Sequence, residues 1–205
     1  MTNAPAEEDE LLGGEKKAVA NTAAPAQPGV MYFLRQRTIL VNLIAMTVVW
    51  MTVAFNYFMI NLQVKYFPGV FEINMIVMFS TDIPASLFAG YLITVLRAKV
   101  VFMTFFALQA VAGLCILLFT NAQDPGVAFP LLIAAARVGV AGAFTAVWAI
   151  HPKMFPTLFA VTSIGISNIV SRSIVTLAPM AAELAYPTPI IIFTILNIGA
   201  FFSST

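Results

Sequence analysis

The chain has 205 residues and a formal net charge of +1, and it is 60% hydrophobic but only 9% charged. Soluble domains average about 45–50% apolar and about 25% charged residues, so this composition excludes a water-soluble fold. The near balance of 10 Lys+Arg against 9 Asp+Glu excludes a polybasic nucleic-acid-binding protein. One cysteine, Cys115, excludes an internal disulfide and a multi-cysteine metal site, and one histidine, His151, leaves almost no material for a histidine-based metal centre or a catalytic triad. We therefore expect an integral membrane protein without a metal or cofactor.

Residues 1–37 are predicted to form a polar N-terminal tail. Nine of the nineteen charged residues lie in this stretch, and residues 18–29 are rich in Ala, Pro and Gly. Such a segment cannot bury enough apolar surface to fold alone. An acidic cluster at residues 7–10 stands where a signal peptide or a mitochondrial presequence would be basic, so neither is expected. Import by internal signals stays open.

Six apolar segments follow the tail and predict a membrane domain over residues 38–205. A hydrocarbon core about 30 Å thick requires roughly 20 apolar residues per helix. The segments show no alternation of polar and apolar residues, which excludes the strands of a membrane barrel. The fold class is therefore an all-α membrane protein, with spans predicted at 38–62, 71–95, 100–120, 127–150, 158–183 and 187–203.

Lys and Arg residues in the short connections predict the orientation of these six spans. Lys65 alone falls on one side of the membrane. Both termini are therefore expected in the cytosol or the matrix, and a mitochondrial inner membrane is favoured over the plasma membrane. The basic residues on the side of the termini are Arg35, Arg37, Arg97, Lys99 and Lys153.

Three charged residues lie deep inside predicted spans: Asp82 in the second, Arg137 in the fourth and Arg172 in the fifth. Each costs about 2.5–3.5 kcal/mol at a helix centre on insertion scales. One interpretation is a site for a charged solute or a proton. The other is mutual pairing of Asp82 with one arginine, which fixes helix register and leaves the second arginine without a carboxylate.

Small residues and one proline predict local features of the helices. Ala135, Gly139 and Ala143 recur every fourth residue in the fourth span, which favours close helix packing. Pro84 is expected to bend or break the second span. Irregular backbone is not tolerated against lipid, so this point is expected to face protein or a water-filled cavity. His151, beside Pro152 at the end of the fourth span, is expected to be an interfacial residue.

Several short motifs stand at defined spacings along the spans. They are Trp50, Phe55 and Tyr57 in the first span, Asp82-Ile83-Pro84-Ala85 in the second, Arg137-Val138-Gly139 in the fourth, Phe155-Pro156-Thr157 after it, and Arg172 with Pro179 in the fifth. Their order and spacing resemble the C-terminal half of the organic-ion (organic cation/anion) transporter family of the major facilitator superfamily. The resemblance implies half of that twelve-helix fold. In the family's anion carriers, the position of Arg172 is a substrate-site arginine.

The resemblance has departures. Lys153 stands where the family has a glutamate, and Ala160 stands where it has an arginine. In the family these charges latch the two six-helix halves. The first half of the family's fold has no counterpart in this sequence, so we expect that the chain needs a partner.

Two functions remain open. The first is a degenerate, transporter-like half that serves as a structural or accessory subunit of a larger membrane complex, in contact with other membrane subunits and lipids. The alternative is a half-size organic-ion transporter, with an anion favoured, that works as a homodimer or with a separate N-terminal half. The eroded latch favours the first. No catalytic constellation points to an enzyme, and no nucleic-acid partner is expected. If the chain is a transporter, the candidate substrate-binding residues are Arg172, Arg137, Asp82 and Tyr57.

Overall fold

The computed structural model describes residues 29–119 and 128–203, and within those ranges all regular structure is helical. Residues 1–28 of the predicted polar tail lie outside the described residues. Two 3₁₀ turns, Val64–Tyr66 and His151–Met154, continue the ends of longer helices. The α-helices are α1 Val30–Leu34, α2 Arg37–Gln63, α3 Phe71–Ser80, α4 Asp82–Val95, α5 Ala98–Phe119, α6 Ala128–Ile150, α7 Thr157–Val175, α8 Ala178–Ala182 and α9 Thr188–Ser203.

The chain divides into two compact units, Met1–Gln36 and Arg37–Thr205. In the described part of the first unit, α1 is a single short helix in which the rings of Tyr32 and Phe33 meet edge to face at 5.6 Å. All the longer helices belong to the second unit.

Five helical segments of the second unit are long and apolar enough to cross a membrane, as expected of an all-α membrane protein. They are Arg37–Tyr66, Phe71–Val95, Ala98–Phe119, Phe129–Met154 and Thr157–Ala182. The last apolar helix, α9, has only 16 residues, which at 1.5 Å per residue gives about 24 Å. The predicted ends of the third and fourth spans, at 120 and 127, fall outside the described residues.

Helix α6 occupies the centre of the second unit and packs against α2, α3, α4 and α5. Helix α9 packs against α5 and α2, and α7 packs along α2. The apolar core between these helices includes the fully or almost fully buried side chains of Met59, Met78, Phe129, Ile133 and Phe193. The central position of α6 brings Arg137 into contact with the helices on both sides of it.

The second span is interrupted at Thr81, between α3 and α4. Pro84 has no N–H to donate to the carbonyl group of Ser80, four residues earlier, so one backbone hydrogen bond of the helix is missing there. The N–H of Ala85 resumes the ladder by donating to the Thr81 carbonyl group at 3.0 Å. The interruption predicted at Pro84 thus lies three residues before it, and Pro84 itself is exposed on the surface of the chain.

Helices α2 and α7 approach closely because the contact face of α7 carries small residues. Ala160, Ser163, Ser167 and Ser171 recur at intervals of three or four residues and are all buried. The hydroxyl groups of Thr47 and Ser167 are 2.9 Å apart across this contact. Small side chains allow such backbone approach in a membrane, and the hydroxyl pair adds a hydrogen bond between the helices.

Candidate functional site

Arg137 forms the centre of a buried polar cluster that joins three helices. Its Nε donates to Asp82 Oδ1 at 2.6 Å and its Nη2 donates to Asp82 Oδ2 at 2.7 Å. Its Nη1 donates to Asn61 Oδ1 at 2.7 Å. Such a two-pronged arginine–carboxylate contact is strong and geometrically specific. The cluster therefore fixes α2, α4 and α6 relative to one another.

The burial of the two charged partners is unequal. The side chain of Arg137 is 0% exposed, whereas that of Asp82 is 30% exposed. The carboxylate group is thus at the edge of the cluster and the guanidinium group is inside it. Of the two interpretations of the intramembrane charges, pairing of Asp82 with one arginine is the arrangement observed, and that arginine is Arg137.

Aromatic rings enclose the guanidinium group of Arg137. Its Cζ lies 4.2 Å from the centroid of the Tyr57 ring and 5.6 Å from that of Phe79. Tyr57 in turn packs on Phe144 at 5.1 Å. A cation over a ring face is stabilised by the ring quadrupole, and more strongly where water is excluded. Three N–H donors and at least one face of the guanidinium group are therefore committed to the protein itself.

Arg172 is outside this cluster. Its side chain is exposed on α7, and its guanidinium carbon lies 5.7 Å from the ring centroid of Phe58. The Phe58 ring meets that of Tyr57 edge to face at 5.7 Å, so the two arginines are linked through adjacent rings of α2. Of the four predicted substrate-binding residues, the structure brings together Arg137, Asp82 and Tyr57 and leaves Arg172 apart.

Among the small residues of α6, Gly139 lies at the contact with α5. Gly139 and Ala143 are buried and Ala135 is half-buried beside the core. A Cβ atom at Gly139 would lie 2.6 Å from Gln109 Cγ and 3.3 Å from the Phe105 carbonyl oxygen. Gln109 Nε2 also donates to the Gly139 carbonyl group at 3.1 Å. A side chain at position 139 would therefore force α5 and α6 apart.

A second buried polar network joins α2, the turn after α6, and α7. Trp50 Nε1 donates to His151 Nδ1 at 2.8 Å, and His151 Nε2 lies 3.0 Å from Ser163 Oγ. Ser163 Oγ donates its hydrogen to the Ala160 carbonyl group at 2.7 Å, so in the contact between His151 and Ser163 the hydrogen is on His151 Nε2. Because His151 Nδ1 accepts from Trp50, it carries no hydrogen, and the imidazole ring is neutral. The side chain of His151 is 0% exposed and is packed inside the protein, and its expected position at the membrane edge stays a prediction.

A third polar contact lies at the opposite end of the helices. Lys65 Nζ and Tyr66 Oη donate to the carboxylate group of Glu183 at 2.6 Å and 2.7 Å. The hydrogen bonds from Lys65 and then Tyr66 lower the pKa of Glu183. This carboxylate group is therefore ionised and occupied at neutral pH. Among the described residues, no three His, Cys, Asp or Glu side chains are grouped so that they could hold a metal ion.

Sequence reasoning missed Asn61 and the serine face of α7. Asn61 stands four residues after Tyr57, on the same face of α2, and this spacing could have placed an amide beside the intramembrane arginine. The four-residue spacing of Ser163, Ser167 and Ser171 could likewise have indicated a packing face. Neither signal says which helix is the partner.

Comparison with known proteins adds no identification. The chain matches no protein-family model and no curated protein. The resemblance to organic-ion transporters therefore rests on the motifs of the sequence, and the function must be argued from the contacts described above.

Proposed function

We propose that the chain is a six-helix unit related to the C-terminal half of the organic-ion transporters and acts as a structural or accessory subunit of a larger membrane complex. The observation that carries this proposal is the closure of the Arg137 cluster. The guanidinium group of Arg137 donates hydrogen bonds to Asp82 and Asn61 and lies against the Tyr57 ring. None of the Arg137 side chain is exposed. A solute-binding arginine would keep donors free for the solute.

The energetics of the cluster support a structural role. Removing one partner of a buried ion pair costs about 3–5 kcal/mol because the remaining charge has no compensation. If this pair had to open to admit a solute, each transport cycle would require a free energy of this size. The substitutions at the latch positions point the same way, since Lys153 reverses one family charge and Ala160, buried in the α2–α7 contact, removes another.

A half-size organic-anion transporter is the second candidate, and the position of Arg172 favours it. This arginine is exposed, and within the described residues its side chain has only the Phe58 ring as a charge-stabilising neighbour. A carrier of this kind holds its solute between two rocking halves. The opposing wall would come from a second copy or from a separate N-terminal half.

The size and composition of the native protein, extracted in a mild detergent, distinguish the two proposed functions. Blue-native electrophoresis with peptide identification should place the chain in a large assembly with unrelated membrane subunits. A small homodimer, or a pair with one other six-helix chain, would contradict the accessory role.

Transport itself is tested with purified protein in sealed vesicles. We expect no saturable uptake across a panel of aromatic and aliphatic carboxylates, with folding confirmed by circular dichroism. Saturable uptake that Arg172→Asp redirects toward organic cations would establish the transporter and overturn the accessory role.

A further inference from the structure

One face of α7 is a continuous stripe of exposed residues, of which Arg172 has the Phe58 ring of α2 at 5.7 Å from its guanidinium carbon. Its members recur at intervals of four, four, three and four residues, the spacing of a single helix face. The opposite face, with Ser163, Ser167 and Ser171, is buried against α2. The exposed stripe consists of Val161, Gly165, Ile169, Arg172 and, one residue beyond the end of α7, Thr176, with Val161 80% and Ile169 71% exposed.

Arg172 lies on this stripe, inside the apolar span Thr157–Ala182. It stands in the last turn of α7, 15 residues after Thr157. At 1.5 Å per residue this separation is about 22 Å, so we expect Arg172 to lie inside a hydrocarbon core about 30 Å thick. Charged residues at this depth almost always pair with another group or face an aqueous cavity.

The described carboxylate groups offer Arg172 no counter-charge. Asp82 accepts both of its strong bonds from Arg137, and Glu183 accepts from Lys65 and Tyr66 at the end of the span. Glu72 lies in the first turn of α3, ten residues from Asp82 and toward that helix's membrane edge. The described residues therefore leave Arg172 without a carboxylate partner, and its charge calls either for a negative charge from elsewhere or for an aqueous cavity.

We propose that this stripe is the docking surface for a transmembrane helix of a different protein, and that this helix carries an Asp or Glu opposite Arg172. The proposal rests on the accessory role proposed above and names the chemistry of the partner. A second copy of the chain, apposed by two-fold symmetry, would bring Arg172 against Arg172 and supply no free carboxylate at this depth. A lipid phosphate group stays at the membrane surface, outside the apolar span that contains Arg172.

Gly165 provides independent support for a helix as the occupant. A Cβ atom at this position would meet nothing within 4 Å, although the residue lies in the middle of an apolar helix. Small residues on an open helix face let another backbone approach closely in lipid. Gly165 stands seven residues, two turns, from Arg172 on the same face, so one straight partner helix can contact both.

The test uses the full chain in its native membrane with photoreactive benzoylphenylalanine at position 169. A control chain carries the same group at Leu118, which is 76% exposed on α5. We expect an adduct from position 169 that maps to a membrane span of another protein, within one turn of an Asp or Glu. Arg172→Gln and Gly165→Leu should reduce this adduct by at least about tenfold, while Arg172→Lys retains it.

Charge reversal completes the test. Arg172→Glu should abolish the position-169 adduct, and replacement of the mapped carboxylate residue by Arg in the partner should restore it. Since Arg172 is exposed, its variants should fold, and unchanged labelling from position 118 checks this.

The proposal is overturned if the adduct is a second copy, if its span has no carboxylate, if Arg172→Gln leaves it unchanged, or if only position 118 gives adducts. A large native assembly combined with any of these results would remove the docking surface and leave the accessory role intact. A small homodimer would remove both.

Discussion

At the scale of single residues, Arg137 is the buried charge that joins three helices. A guanidinium group with no exposure is tolerable in an apolar core only because Asp82 and Asn61 satisfy its donors and Tyr57 covers one face. Its partner could not be chosen from the sequence, which offers Asp82 two intramembrane arginines. The choice is made by tertiary packing, since α4 lies along α6 and not along α7.

Removal of either charge of this pair should therefore destabilise the protein strongly. We expect Arg137→Gln and Asp82→Asn each to cost about 3–5 kcal/mol in the free energy of unfolding. The double variant should cost less than the sum of the two, because neither charge is left uncompensated. Denaturant unfolding in detergent micelles measures this, with Arg172→Gln as the matched exposed control. Strict additivity of the two single variants would contradict the pairing.

At the scale of the helices, contacts between small residues decide how closely the helices approach. The four-residue spacing in α6 pointed to a packing face, and the structure places Gly139 against Gln109 of α5. Gly142, which the sequence reasoning did not single out, meets the ring of Phe105 in the same contact. The spacing of small residues can be read from a sequence, but the partner helix and its large side chains are set by the fold.

Equivalent substitutions at two glycines should have opposite effects. Gly139→Ala should cost about 1–3 kcal/mol, because the added methyl group overlaps Gln109 and the backbone of Phe105. Gly90→Ala should be neutral or stabilise by up to about 1 kcal/mol, since nothing lies within 4 Å of its added Cβ atom and Ala is the better helix former. Thermal unfolding in one detergent compares the two variants. Equal effects would show that helix propensity, and not the α5–α6 contact, dominates.

At the scale of the whole molecule, the sequence predicted an all-α membrane protein, and five helical segments of the described residues are long and apolar enough to cross a membrane. Runs of about 20 apolar residues are visible in any chain, and membrane depth sets their length. The exact position of the interruption, at Thr81 and not at Pro84, was less accessible, because it depends on where hydrogen bonding ends within an apolar run. The six-span topology remains a prediction, since α9 is shorter than the hydrocarbon core is thick.

The two ends of the helix bundle carry different connections, which makes the topology testable. Lys99, Met154 and Ser203 line one crevice of about 140 Å³, and Gln63 and Leu184 line another of about 310 Å³.

In a Cys115→Ser background, single cysteines at Arg97 and Ser203 should react with an impermeant maleimide from one face of sealed vesicles. A cysteine at Leu184 should react only from the other face. Reaction at Ser203 together with Leu184 would mean that α9 does not cross the membrane.

The pairing of Asp82 with Arg137 also has a consequence for biosynthesis. The two residues are 55 positions apart, so the carboxylate leaves the ribosome well before its partner exists. At 5–20 residues per second the delay is roughly 3–11 seconds. During that interval the second span carries a carboxylate group without a partner, which is unfavourable in lipid. We therefore expect release of this span from the insertion machinery to await arrival of the span that carries Arg137, because an unpaired carboxylate group costs about 2.5–3.5 kcal/mol at a helix centre.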